Sequence, residues 1–243
     1  MGITMRLDKY LADMSVGTRT EVKQMIKKGL VFVNEQMEKR PERKVGKEDR
    51  IVVSGREISY TSYEYLMLNK PAGVVSATED SIHKTVIDCV QSERKDLFPV
   101  GRLDIDTEGL LLLTNDGELA HRLLSPKKHV AKTYYAKIEG NVTNEEVQKF
   151  QEGLNLGDFV TKPSKLIIKE NGILEEGLVY SEVEVTIYEG KFHQVKRMFE
   201  AVGMKVVFLK RLSMGDLILD PGLEVGAFRA LTEEEKKLIG CKE

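Results

Sequence analysis

Gly101-Arg102-Leu103-Asp104-Ile105-Asp106-Thr107-Glu108-Gly109, running directly into Leu110-Leu111-Leu112-Leu113-Thr114, is the stretch on which the fold turns. Four consecutive leucines bounded by Gly109 and Asn115-Asp116-Gly117 are too few for a helix and suit a strand buried on both faces. The residues before them form a polar loop, rich in glycine and acids, that feeds a central strand. Loops held by rigid strands are where reactive side chains concentrate. Asp104 and Asp106 lie two apart, so in extended backbone they face the same way. Paired carboxylates can bind magnesium, share a proton or leave one free as a nucleophile. They can also do no more than cap a turn and a strand end, and spacing alone favours that reading.

Working outward, residues 117–124 read as a helix carrying Leu119 and Leu123 and stopped by Ser125-Pro126. Lys132–Ala136 begins a strand. Val183, Val185 and Ile187 alternate with polar residues, giving a strand with one buried face. Glu189-Gly190-Lys191 then turns into a helix from His193 to Val202, where Val195, Met198, Phe199 and Val202 form the inward stripe. Gln194, Arg197 and Ala201 lie away from that stripe, and Lys196 sits at its flank, long enough to snorkel toward a cleft. Strand 206–209 and a final helix capped by Thr232 follow. On the other side, Leu66–Leu68 is a strand ending in the turn Asn69–Gly73, a helix is expected over 85–91, and Tyr60–Tyr63 reads as a linker.

The first quarter of the chain has a different character. Residues 1–60 hold 13 Lys and Arg against 9 Asp and Glu, a surplus of four, whereas the remainder has a deficit of six. Leu7, Tyr10, Leu11 and Met14 mark a short amphipathic helix. Thr18 and Glu21 have capping-box spacing for a second one, with Val22, Met25 and Ile26 as its buried stripe. Arg19, Lys23 and Lys27 recur at i, i+4 and i+8 on another face. Like charges so stacked repel one another, and a phosphate backbone laid along them reverses the sign. Gly29 caps the helix, strands are expected at 31–33 and 50–53, and Arg40, Arg43, Lys44 and Lys47 enrich the loop between them.

At 243 residues, 41% apolar and 31% charged, the composition is that of an ordinary globular protein. No apolar run approaches the ~20 residues of a membrane span. No charged-then-apolar leader stands at the N-terminus, so a cytoplasmic protein is expected. Two distant cysteines and four scattered histidines argue against a disulfide framework or a transition-metal centre.

Three blocks in the first 55 residues, Arg6–Leu11, Gly17–Thr20 and Gly29–Asn34, resemble the S4 RNA-binding domain. The later blocks resemble a pseudouridine synthase: Gly101–Leu110, then Lys132-Thr133-Tyr134, then Gly190–Phe199 with Gly203 and Leu209-Lys210-Arg211. His193–Phe199 and Thr161-Lys162-Pro163 are particularly like the branch that acts on uridine 516 of small-subunit 16S rRNA, although branches acting on large-subunit rRNA carry very similar motifs.

The resemblance implies an α+β chain. It divides into an S4 domain over 1–60 and a catalytic domain over 61–243, the latter a mixed, mostly antiparallel sheet flanked by helices. It implies Asp104 as the essential acid, Tyr134 as the aromatic stacked under the flipped uracil, and Lys196 as the basic partner of the aspartate. Leu209 is the apolar wall, and Arg102 enters the stack vacated by the flipped nucleotide. Arg19, Lys23 and Lys27 dock the RNA, no metal or cofactor is required, and a monomer acting on ribosomal RNA within an assembling small subunit is expected. Asp106 shapes its loop, His193 caps or packs, Tyr135 faces the core, and Lys210 and Arg211 either touch RNA or solvate a strand end. The rival class is a non-catalytic RNA-binding or ribosome-assembly protein of the same fold.

Overall fold

In a computed structural model, which describes residues 4–46, 48–60, 63–92, 94–173 and 177–242, the chain forms two compact units. The first holds the residues up to 64 together with 91–97. The second holds 65–90 and 98–242. Lys47 and the linker residues Thr61 and Ser62 lie outside the described residues.

The first unit runs β1 (Met5–Arg6), α1 (Leu7–Asp13), α2 (Arg19–Lys27), β2 (Val31–Val33), β3 (Gln36–Met37), β4 (Lys44–Val45), β5 (Ile51–Val53) and β6 (Arg56–Ile58). The expected capping box starts α2. The Glu21 amide donates to the Thr18 hydroxyl at 3.3 Å and the Thr18 amide to the Glu21 carboxylate at 2.7 Å. The two helices place Leu7, Leu11, Val22 and Ile26 against Val31, Val33 and Ile51 of a four-stranded sheet ordered β3-β2-β5-β6. Arg19, Lys23 and Lys27 are left exposed.

Among the described residues two carboxylates are buried in this unit, Asp8 beside one arginine and Glu38 beside two. Asp8 accepts from Arg6 at 3.0 and 2.9 Å, and these bonds hold its carboxyl below the usual range. Burial pushes Glu38 up. Its bonds from Arg40, Arg43 and the amides of Lys39 and Arg40 overcome that and bring it down to about 2.

The second unit contains β7 (Tyr65–Lys70), β8 (Phe98–Pro99), β9 (Glu108–Thr114), α3 (Gly117–Leu124), β10 (Lys132–Glu139), α4 (Asn144–Glu152), β11 (Lys165–Ile173) and β12 (Val179–Ile187). After these come α5 (Gln194–Ala201), β13 (Lys205–Met214), β14 (Leu217–Ile218), β15 (Phe228–Ala230) and α6 (Glu233–Ile239). A nine-stranded sheet has the order β11-β12-β10-β13-β9-β7-β15, with β14 and β8 at its side. Among the described strands only β9 and β13 pair in parallel, so the architecture is α+β with a mixed, mostly antiparallel sheet.

Leu110–Leu113 are completely buried, as a strand covered on both faces requires. Each contributes up to about 1.5–3 kcal/mol by leaving water. At the parallel pairing Gly109 stands opposite Arg211. It has φ +101°, and a Cβ there would run into the Arg211 carbonyl oxygen and lie 2.7 Å from its nitrogen. Only glycine fits so close an approach of two backbones.

The helix expected over 85–91 does not form. Thr85 bridges to Val75 instead, and the Asp88 carboxylate takes both the Thr85 amide (2.8 Å) and hydroxyl (2.9 Å), a local turn that competes with helix. Among the described residues, no helix is long and apolar enough to cross a membrane.

Candidate active site

The loop that enters β9 is fixed from below. The Ser76 hydroxyl donates to the Leu103 carbonyl at 2.9 Å and accepts from its amide at 3.0 Å. Lys70, at the end of β7 and wholly buried, donates to the carbonyls of Pro71, Ile105 and Thr107 at 3.0, 3.3 and 2.8 Å. Burial pushes its ammonium down to about 8, because carbonyl dipoles replace only part of the lost hydration. The Thr107 amide closes a turn on the Asp104 carbonyl at 3.1 Å.

That turn, rather than extended backbone, brings both carboxylates to one ammonium. Lys196 of α5 stands 3.4 Å from Asp104 Oδ2, and donates to Asp106 Oδ1 and Oδ2 at 2.6 and 2.8 Å. Burial acts upward on Asp106, but Lys196 outweighs it and holds the carboxyl below its usual range. The lysine is thus shared between two carboxylates, with its shortest bonds on the one expected to shape the loop.

A pocket of about 540 Å³ opens over the sheet. Arg102, Asp104, Tyr134 and Leu209 all line it, and Lys196 reaches Asp104 from the helix beside it. Tyr134 and Leu209 are almost fully buried, a flat wall and an apolar one, while Arg102 is exposed. Arg19, Lys23 and Lys27 are on α2 of the first unit. Among the described residues, no cluster of three or more His, Cys, Asp or Glu side chains is set to hold a metal ion.

Several side chains depart from expectation. His193 stands at the N-cap position of α5, but its side chain makes no capping bond and does not pack in the core. Its backbone is left-handed (φ +48°), its ring stacks on exposed Phe192 at 3.7 Å, and Nε2 stands 3.6 Å from Asp104 Oδ1. Gln194 is buried rather than turned away, because its amide group links Glu189 to the Lys191 amide ahead of the helix. Tyr135 does not face the core. The buried face of β10 is that of Lys132, Tyr134, Ala136 and Ile138, and Tyr135 lies half-buried on the other face with its ring edge to Phe208 at 6.0 Å.

Arg211 solvates nothing. It is 2% exposed, its Nε donates to the Leu110 carbonyl at 2.8 Å, and it lines the pocket, as does nearly buried Lys132. The sequence holds a signal for both. Lys132 precedes Tyr134 by two and Arg211 follows Leu209 by two, so strand alternation puts each on the pocket face.

The family model for RNA pseudouridylate synthases matches residues 64–201, and that for the S4 domain matches residues 5–51. The chain belongs to the RNA pseudouridylate synthase family and carries an S4 domain in front of the catalytic fold. It is 48% identical over 239 residues to the Uncharacterized RNA pseudouridine synthase YtzG of Bacillus subtilis, covering 97% of this chain and 98% of that one. It is 40% identical over 234 residues to Ribosomal small subunit pseudouridine synthase A of Vibrio cholerae, covering 95% and 97%. It is also 40% identical over 235 residues to Ribosomal large subunit pseudouridine synthase B of Bacillus subtilis, covering 96% and 95%. A solved structure described as a pseudouridylate synthase superposes with a TM-score of 0.64 at 36% identity, covering 97% of this chain and 99% of that one.

Proposed function

We propose that the chain converts one uridine of 16S rRNA, uridine 516, to pseudouridine, with Asp104 as the reacting acid. The observation that carries the reading is Asp104 itself. Its carboxylate opens into a pocket walled by Tyr134 and Leu209, with the Lys196 ammonium 3.4 Å from Oδ2. The likeness to small-subunit synthases over nearly the full chain supports the choice of RNA.

The reaction needs three things from the protein. The uridine must leave its stack, at a cost of a few kcal/mol, and Arg102 at the pocket mouth fills the space behind it. The glycosidic bond must break, with Asp104 either bonding to the substrate or taking a ribose proton. The detached base must then turn until C5 meets C1′, held meanwhile against the Tyr134 ring and the Leu209 side chain. Residues 1–60 serve as the docking module, through Arg19, Lys23 and Lys27 on the phosphate backbone, and residues 61–243 carry the chemistry. The chain works as a cytoplasmic monomer on an assembling small-subunit particle, without added metal or nucleotide.

A second reading, a large-subunit target, is favoured by the equal identity to the synthase B of Bacillus subtilis. Mapping pseudouridines in rRNA from cells with and without this protein separates the two. Loss of one site in 16S rRNA is expected; loss of a 23S site alone would replace the first reading by the second. Purified protein is expected to keep its activity in EDTA, and activity abolished by chelation and restored by one metal would overturn the metal-free scheme.

A further inference from the structure

The pocket floor holds two cations that no described side chain neutralises. Lys132 is 8% exposed and Arg211 2%. Both line the pocket that Asp104 opens into. Among the described residues neither has a carboxylate within ion-pair distance, and their protein partners are single backbone carbonyls, Val130 for Lys132 at 2.9 Å and Leu110 for Arg211 at 2.8 Å. Arg211 Nη2 is buried with no hydrogen-bond partner among the described residues. Burial and the neighbouring Arg211 charge both press the Lys132 ammonium below its usual range. A buried cation without an anion destabilises the folded chain, and a second beside it adds to that. A packing role leaves that cost without any return. An anion that exists only during the reaction supplies one.

Pseudouridine formation makes such an anion. When the C1′–N1 bond breaks, its electron pair goes to the base and spreads over N1, O2 and O4 as uracilate. The pair returns when C5 bonds to C1′, and the C5 proton is passed on to N1, so the sum is an isomerisation. Tyr134 and Arg211 are cross-strand partners, and Lys132 shares the Tyr134 face of β10. A base lying on the Tyr134 ring therefore has both cations at its rim. We infer that Lys132 and the unpaired Nη2 of Arg211 bind the carbonyl oxygens of the detached base and stabilise it as the uracilate anion while it turns. The inference rests on the synthase reading, and it assigns to these residues a task distinct from that of Asp104 or Lys196.

Leaving-group chemistry tests it. Fluorine at C5 withdraws electrons and makes the base a better anion, so 5-fluorouridine needs less help from the pocket. Single-turnover glycosidic cleavage is compared on 16S rRNA transcripts made with uridine and with 5-fluorouridine, each assembled with small-subunit ribosomal proteins, for wild type and Lys132→Met. On uridine the variant is expected to lose about 10²-fold in rate, as for removal of one donor to a developing anion. On 5-fluorouridine the loss is expected to be clearly smaller. An equal fold-loss on both substrates would overturn the inference while leaving the synthase reading intact. Failure of wild type to act on either transcript would instead remove the reading beneath it. Because each ratio is taken on one protein preparation, partial misfolding cancels. Arg211→Lys, which keeps the charge and gives up Nη2, carries the same comparison if Lys132→Met does not fold.

Discussion

The first unit and the pocket side of the second treat buried charge in opposite ways, whereas Asp116 and Glu146, buried elsewhere in the second unit, are matched by hydrogen bonds. In the first, Asp8 is fully buried and meets the Arg6 guanidinium with the Lys23 ammonium 3.9 Å away, and Glu38, also buried, meets two guanidinium groups and two backbone amides. In the second, Lys70, Lys132 and Arg211 are buried against carbonyls, and among the described residues no carboxylate pairs with any of them. Buried charges matched inside a unit stiffen it and leave its surface charges for other work. Buried charges left unmatched raise the energy of the folded chain until something arrives to meet them. On the proposed reading, the docking module is finished before RNA binds, and the pocket is completed by its substrate.

The sharpest way to break this contrast is at the carboxylate that shares the pocket with the cations. Asp104→Asn should lower pseudouridine formation by at least about 10³-fold, measured by site-specific mapping, while RNA affinity persists. Asp106→Asn, with the shorter bonds to Lys196, should keep measurable turnover; the reverse pattern would mean that the ammonium serves Asp106 and not Asp104.

Next is Lys70. Its folded-state value of about 8 lies below the ordinary 10.5, so the unfolded chain holds a proton that the folded chain has released across that window. Stability should therefore rise between about pH 8 and 10.5, by on the order of 3 kcal/mol from this group. Lys70→Met should lose that rise in urea melts at a series of pH values. A parallel pH dependence in both proteins would show that Lys70 is not held against its charge.

Glu38 gives the opposite sign. Its folded value is depressed to about 2 from 4.5, so its contribution is fully present above 4.5 and fades as pH falls toward 2. Glu38→Gln should cost the first unit about 2 kcal/mol at neutral pH and flatten its acid melt. An unchanged acid midpoint would mean that water serves the arginines as well as the Glu38 carboxylate does.

The smallest effects are on the surface. Removing Arg19, Lys23 or Lys27 singly should leave stability within about 0.5 kcal/mol. The slope of log affinity against log salt should flatten by about 0.7–0.9 for each phosphate that is no longer neutralised. Wild-type slopes in all three would return the stripe to solvent.

Legibility follows the same division. The four leucines of β9, the Thr18 and Thr232 caps, and the alternation in β12 announce themselves because local geometry and burial demand the same residues there. The Thr143–Glu146 capping box of α4 is equally legible, since its spacing is that of Thr18 and Glu21. The helix expected over 85–91 gives way because the Asp88 side chain ties the Thr85 amide and hydroxyl into a local turn. The shared use of Lys196 stays hidden because it depends on a turn at Ile105-Asp106, and that turn is set by Lys70, 35 residues upstream of Ile105. Lys70, Lys132 and Arg211 do not stand out because lysine and arginine are residues of the surface unless something distant buries them.

Gly109 gives the pocket its scale. Where β9 lies against Arg211, the gap between backbones is filled by a hydrogen atom and has no room for a methyl group. Five residues earlier in the chain is Asp104, and on the facing strand is the guanidinium of the pocket floor. The span between acid and cation is thus gauged by an absence. Any side chain at this position would push the two backbones apart and widen that span.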